Sequence, residues 1–140
     1  MPKKPKISIV IRAYNEEKHL PELFRRLKRQ TISEFEIILV DSGSQDKTVP
    51  IAQAGGAKVV EILKQNFSFG RALNIGCAAA SGEFLLFVSA HVYPESDDWL
   101  KIILAEFEDK QVGLVYGRQR AGKTNKFSEE ILLKNWFPDK

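Results

Sequence analysis

The chain has one cysteine among its 140 residues, Cys77, and only two histidines, His19 and His91. A single thiol excludes intramolecular disulfides and cysteine-built zinc sites. Long apolar runs are also missing. No stretch of about 18 consecutive apolar residues occurs, and the first apolar run turns polar at Arg12, so neither a membrane-spanning helix nor a signal peptide is expected. No segment is dominated by Ser, Gly or Pro and no internal period recurs, which speaks against disorder and against a repeat array. Charge of one sign is scarce: the net charge is +3. Basic residues gather at Lys3, Lys4 and Lys6 and within 118–126, where a solvated surface explains most of them, against a patch for phosphate, anionic lipid or nucleic acid. Nucleic acid is not an expected partner. Gly70 and Gly76 match neither the dinucleotide fingerprint nor the P-loop, because the spacing and the Lys-Ser/Thr pair are absent. What remains is the expectation of a cytoplasmic domain that can meet the inner face of a membrane peripherally.

The 44% hydrophobic content is enough for one core. A single domain is expected over 1–140, with its core at 6–117 and a basic loop and helical extension at 118–140. Apolar β-rich runs alternate with helical periodicity, the pattern of an α/β domain with a mostly parallel sheet flanked by helices. Strands are expected at 7–11, 36–40, 58–62, 84–88 and 112–116. Between the first two, Asn15 is placed to cap a helix carrying Leu20, Leu23, Phe24 and Leu27, with Pro21 delaying or bending its start. Further helices are expected at 48–53, ended by Gly55-Gly56, at 69–81, and after Ser96, with Trp99, Leu100, Ile103, Leu104 and Phe107 as the apolar face. Ser128 begins a last short apolar-faced segment.

In open parallel sheets, ligands bind outside the carboxyl ends of the strands, near the point where strand order reverses. Four polar clusters fall just after strands: residues 12–16, 41–44, 66–71 and 89–91. Asp41 can accept an N–H of a nucleobase or ribose hydroxyls, or it can hold the Gly43 bend as an Asx-turn. Tyr14 can stack on a base or pack over the rim. Arg71, at a helix start, suits a phosphate or a surface salt bridge. Asp46 reads as a helix-start residue.

Three stretches resemble family-2 glycosyltransferases of the Rossmann-like GT-A fold, over most of 6–117. Residues 7–16 are similar to the opening strand and Tyr-Asn-x-Glu, with Arg12 and Ala13 where Pro and Thr or Ser are more usual. Val40-Asp41-Ser42-Gly43-Ser44-Gln45-Asp46-Lys47-Thr48 resembles Val-Asp-Asp-Gly-Ser-x-Asp-x-Thr, and Gly70-Arg71-Ala72-Leu73-Asn74-Ile75-Gly76 resembles Gly-x-Ala-x-Asn-x-Gly. The resemblance implies transfer of a sugar from a nucleoside diphosphate to an acceptor hydroxyl, with inversion; the acceptor class is a sugar, a lipid or a polysaccharide. It places Asp41 on the base, Tyr14 against it, Glu16 near the ribose or base, and Arg71 near the pyrophosphate.

Two departures stand out. The family's Asp-x-Asp falls on Ser89-Ala90-His91, which lacks both of the carboxylates that suit Mg²⁺ or Mn²⁺. His91 is then a metal ligand alongside the donor's pyrophosphate, a hydrogen-bond donor to phosphate, or a packed strand-end residue, and Ser89 stays a donor-side candidate. The acceptor half and the carboxylate base lie, in the family, beyond the matched region; Glu129 and Glu130 read as helix-start acids rather than as that base. A strand from that later half lies between the fourth and fifth strands. In its absence 112–116 moves over to the fourth strand, or an open edge invites a second copy. Two functions compete: a transferase domain, or a nucleotide-sugar-binding module that has lost catalysis and serves as a subunit or regulator. An unrelated doubly wound domain is the third possibility.

Overall fold

The structure, a computed structural model, describes residues 4–122 and 127–137, with the side chains of 127–130 excluded. Lys3, residues 123–126 and the side chains of Glu129 and Glu130 therefore lie outside the described residues. The chain divides into two units, 1–101 and 102–140.

The first unit holds a four-stranded parallel sheet, β1 (Ile7–Ala13), β2 (Phe35–Asp41), β3 (Lys58–Glu61) and β4 (Phe84–Ser89), in the order β3-β2-β1-β4. β1 and β2 are central, which is why their apolar runs are nearly unbroken: a strand covered on both faces has no solvent side to make polar. Ile9, Val10, Ile11, Ile38 and Leu39 are fully buried. The helices are α1 (Leu20–Lys28), α2 (Thr48–Ala54), α3 (Phe69–Ala79) and α4 (Trp99–Ala105). α3 lies on β1 and β2, where Ala72 joins Val10, Ile38 and Val40 in a cluster flanked by Val60, Leu73 and Ile75.

Four expected strands and the helices between them are present, with shifts of a few residues at the ends. The expected α1 cap is a correction. Asn15 does not cap the helix, which starts at Leu20 with His19 at the N-cap position and no side-chain cap, Pro21 lying in its first turn. Asn15 instead adopts a left-handed backbone, φ 55°, and its amide oxygen accepts from Gln45 N at 2.9 Å. α4 differs in a similar way: Gln30 Oε1 accepts from Leu100 N at 2.9 Å, while Gln30 Nε2 donates to the Ser96 carbonyl at 2.8 Å. A glutamine from the end of α1 thus takes the role expected of the Ser96 hydroxyl.

The fifth strand is the larger correction. Residues 112–116 form no strand, and Leu114 and Tyr116 are each 81% exposed. The run has strand composition apart from Gly113, but a strand without a partner edge leaves its backbone groups unsatisfied by the sheet. Among the described residues β4 pairs with β1 alone, so its outer edge is open. The second unit contains a 3₁₀ turn at Glu106–Glu108 and α5 (Phe127–Trp136).

At the opposite end of the sheet from the rim, Glu36 ties three segments together. Its Oε1 accepts from Ser8 Oγ at 2.6 Å, Ser81 N at 2.7 Å and Ser81 Oγ at 2.8 Å. Burial pushes the carboxyl up, but those hydrogen bonds outweigh it and hold Glu36 below its ordinary value of 4.5. A depressed pKa contributes stability that is present above the unfolded value and lost as pH falls through the folded one. Glu36→Gln should accordingly lower the melting temperature at neutral pH, with the gap from the parent protein closing as pH drops below about 4. Melting curves taken across that range check it, and a gap independent of pH would refute the assignment.

Candidate functional site

The strand order places β2 and β3 on one side of β1 and β4 on the other. The chain reverses its direction of sheet growth between β1 and β4, so the crevice for a ligand lies over the carboxyl ends of these strands. Residues 12–17, 41–48, 64–71 and 89–93 all reach this end.

The loops after β1 and β2 are bound to each other. Ser44 Oγ accepts from Asn15 N at 2.8 Å, Thr48 Oγ1 from Glu16 N at 2.7 Å, and Asp46 Oδ2 from Glu17 N at 3.1 Å. In return, Glu17 Oε2 accepts from Lys47 N at 3.0 Å. Ser44, Asp46 and Thr48 are therefore structural: they fix the loop that presents Tyr14 and Glu16. Asp46 also accepts from the Thr48 amide and hydroxyl, in keeping with its reading as a helix-start residue. Burial pushes the Asp46 carboxyl up, and the Thr48 and Glu17 hydrogen bonds more than offset this, leaving it below its ordinary range.

Asp41 is 2% exposed. Its Oδ2 accepts from Gly43 N and Ser44 N, both at 2.9 Å, and Oδ1 accepts from Ser44 Oγ at 2.5 Å. This is the Asx-turn around Gly43, whose φ of 89° glycine adopts without strain. Among the described residues Oδ1 accepts from Ser44 Oγ alone, so it keeps acceptor capacity.

Tyr14 is 40% exposed. Lys64 Nζ donates to its hydroxyl at 3.0 Å and lies 4.8 Å from its ring centroid. Arg71 sits in the first turn of α3, where Ser68 at the N-cap accepts from the Arg71 amide at 3.2 Å. Arg12, from the end of β1, holds its guanidinium 4.6 Å over the Phe69 ring, and Phe67 packs edge-on to Phe69 at 5.3 Å.

A second group stands at the same end of the sheet. His91 Nδ1 lies 3.3 Å from Glu16 Oε1. The His19 ring is 6.0 Å from that of His91, and His19 Nδ1 is 2.7 Å from Tyr93 Oη. Ala90 is buried beneath them and Ser89 ends β4. Of the six residues singled out in the sequence, Glu16 and His91 touch, and Asp41 reaches the Tyr14 loop through Ser44. Lys64, Ser68, His19 and Tyr93 were not anticipated; the meeting of the chain's only two histidines carries no local signature.

This donor set is poor in the oxygen ligands that a hard divalent cation favours. Mg²⁺ and Mn²⁺ favour several oxygen ligands, whereas the triplet offers no carboxylate, only a hydroxyl, a methyl and an imidazole that holds Nδ1 against Glu16 and keeps Nε2 as its remaining nitrogen. Among the described residues no group of three His, Cys, Asp or Glu is placed to hold a metal.

The comparison with known proteins decides the family. The model for glycosyl transferase family 2 matches residues 8–138. The chain belongs to that family. An undecaprenyl-phosphate 4-deoxy-4-formamido-L-arabinose transferase from Pseudomonas fluorescens is 31% identical over 135 residues, 90% of this chain and 40% of that protein. Residues 1–349 of S. aureus TarS, solved with UDP-GlcNAc, superimpose with a TM-score of 0.68 at 28% identity, over 84% of this chain and 38% of that one. Glucosyl-3-phosphoglycerate synthase from Mycobacterium tuberculosis, solved with Mn²⁺, UDP and phosphoglyceric acid, gives 0.62 at 27% identity, over 74% and 39%. The fold is the expected GT-A nucleotide-sugar transferase fold, and the chain spans about two fifths of the length of such relatives. As a family-2 domain it carries the glycosyltransferase architecture with the triplet Ser89-Ala90-His91 at the end of β4. No helix among the described residues is long and apolar enough to cross a membrane.

Proposed function

We propose that these residues form the donor-binding part of an inverting glycosyltransferase, which takes a nucleoside-diphosphate sugar and passes the sugar to an acceptor hydroxyl. The observation that carries this reading is the rim at the β1/β4 switch point. One loop pair is locked by Asp41, Ser44 and Thr48, an aromatic face is offered by Tyr14, and Arg71 stands on a capped helix start. Tyr14 supplies a flat apolar surface for the base, the free position on Asp41 Oδ1 accepts one base N–H, and Arg71 with the α3 N-terminus meets the diphosphate. Glu16 and His91 lie on the side of the ribose and the sugar. On this reading the acceptor, of the sugar, lipid or polysaccharide class, and the base that deprotonates its hydroxyl are met by the part of the fold that the relatives carry beyond the matched two fifths.

The test is calorimetry on the 140-residue chain with UDP, GDP and dTDP, each with Mn²⁺ and with EDTA. One of the three should bind with a Kd under about 1 mM. Failure of all three would overturn the reading. A second reading, a nucleotide-sugar-binding subunit without catalysis, is favoured by the missing carboxylates of the triplet. It predicts the same binding, with no release of sugar from the bound donor.

A further inference from the structure

We propose that Arg12 supplies, in place of a divalent cation, the positive charge that holds and neutralises the donor's diphosphate. This inference rests on the donor-binding reading above and goes beyond it in naming a residue, a charge and metal independence.

Arg12 is in register with Ser89 on one side and Val40 on the other, so it stands on the central strand directly beside the triplet that lacks carboxylates. Side chains alternate along a strand, which puts Arg12 on the same face as Val10, the face that Ala72 of α3 covers. Its guanidinium therefore reaches the N-terminal end of α3, where it lies over Phe69. What orients this cation is an aromatic ring rather than an acid. A stacked guanidinium keeps its full charge and its in-plane fork of N–H donors, the arrangement that recognises phosphate oxygens.

Four of the acids at the rim are engaged elsewhere. Asp41 is held by Gly43 and Ser44, Asp46 by Thr48, Glu17 by Lys47 N, and Glu16 faces His91. Among the described residues no ion pair involves Arg12, Lys64 or Arg71. Three cations from three different segments thus stand at the carboxyl end of the sheet without an ion pair among the described residues, beside a triplet that has no carboxylate. A dianionic group fits this imbalance: ion pairing to fixed guanidinium groups offsets the charge that a bound metal would otherwise cover.

The test compares the 140-residue chain with its Arg12→Met and Arg12→Lys variants, titrating the best-binding nucleoside diphosphate, the matching nucleoside and inorganic pyrophosphate, all in EDTA. Arg12→Met should weaken the diphosphate and pyrophosphate about tenfold or more, leave nucleoside binding unchanged, and reduce the salt dependence of diphosphate binding. Arg12→Lys should fall between, with both variants melting near the parent protein. Equal loss for nucleoside and diphosphate would overturn the proposal by making Arg12 a base contact or a packing residue. So would unchanged diphosphate affinity, or a Mn²⁺-dependent gain of about tenfold or more in the parent chain. If the parent chain binds no nucleoside diphosphate at all, the donor-binding reading fails instead.

Discussion

Asp41→Ala should melt about 6–10 °C below the parent protein, a loss of roughly 2–3 kcal/mol, and should also bind nucleotide about tenfold or more weakly. The stability term comes from the turn. Asp41 is 2% exposed, and both of its oxygens are engaged by the backbone of Gly43 and the backbone and hydroxyl of Ser44. Alanine leaves two amides in a part-buried turn without an acceptor, and charged acceptors are the stronger kind. The binding term follows from the same bonds, because Ser44 Oγ, positioned by Asp41, accepts from Asn15 N and so holds the Tyr14 loop. Asp41→Asn separates the two effects. It keeps one carbonyl oxygen for the turn but places an amide NH₂ where the other oxygen was, so a variant with near-parental melting and lost nucleotide binding would establish direct contact with the base. An Asp41→Ala protein that melts like the parent would show that the turn does not hold the rim.

The sheet was readable because β1 and β2 are buried on both faces, and such strands must be written as uninterrupted β-branched runs ended by polar turn residues. The helices between them were readable from the return of apolar residues at helical spacing, as in Leu20, Leu23, Phe24 and Leu27. Local signals failed where a distant segment competed for the same group. Asn15 has the chemistry of a helix cap, but Gln45 N, 30 residues away, takes its side chain and a left-handed backbone removes it from the helix. Residues 112–116 have the composition of a strand, yet strand formation requires a partner edge, a property of the sheet rather than of the run. At the site, Asp41, Tyr14 and Arg71 were legible as polar residues after strands, although spacing could not divide Asp41 between base and turn. Arg12 was visible as the first residue of the polar cluster 12–16 and as a departure from the family pattern. Its consequence depends on register with Ser89 and on the Phe69 ring, and neither is adjacent to it in sequence.

Gly76→Ala is expected to destabilise the protein by about 1–3 kcal/mol, although alanine is the better helix former by about 1 kcal/mol. A β-carbon at position 76 would run into Val10 Cγ1 and come within 3.3 Å of Val40 Cγ2. Both valines are fully or almost fully buried in the central strands, so neither can swing aside into solvent. The overlap can be relieved only by lifting α3 from the sheet, which opens the packing around Ala72 and costs more than the helix propensity returns. Because Ser68, Phe69 and Arg71 ride on the first turn of that helix, a lift at Gly76 also displaces the groups proposed to meet the diphosphate. Nucleotide affinity should therefore fall along with the melting temperature, whereas Gly70→Ala, where an added β-carbon meets nothing within 4 Å, should change neither by much. Thermal melts and calorimetry on the two variants check this. Equal behaviour of Gly76→Ala and Gly70→Ala would mean that close approach of α3 to β1 does not set the position of the rim.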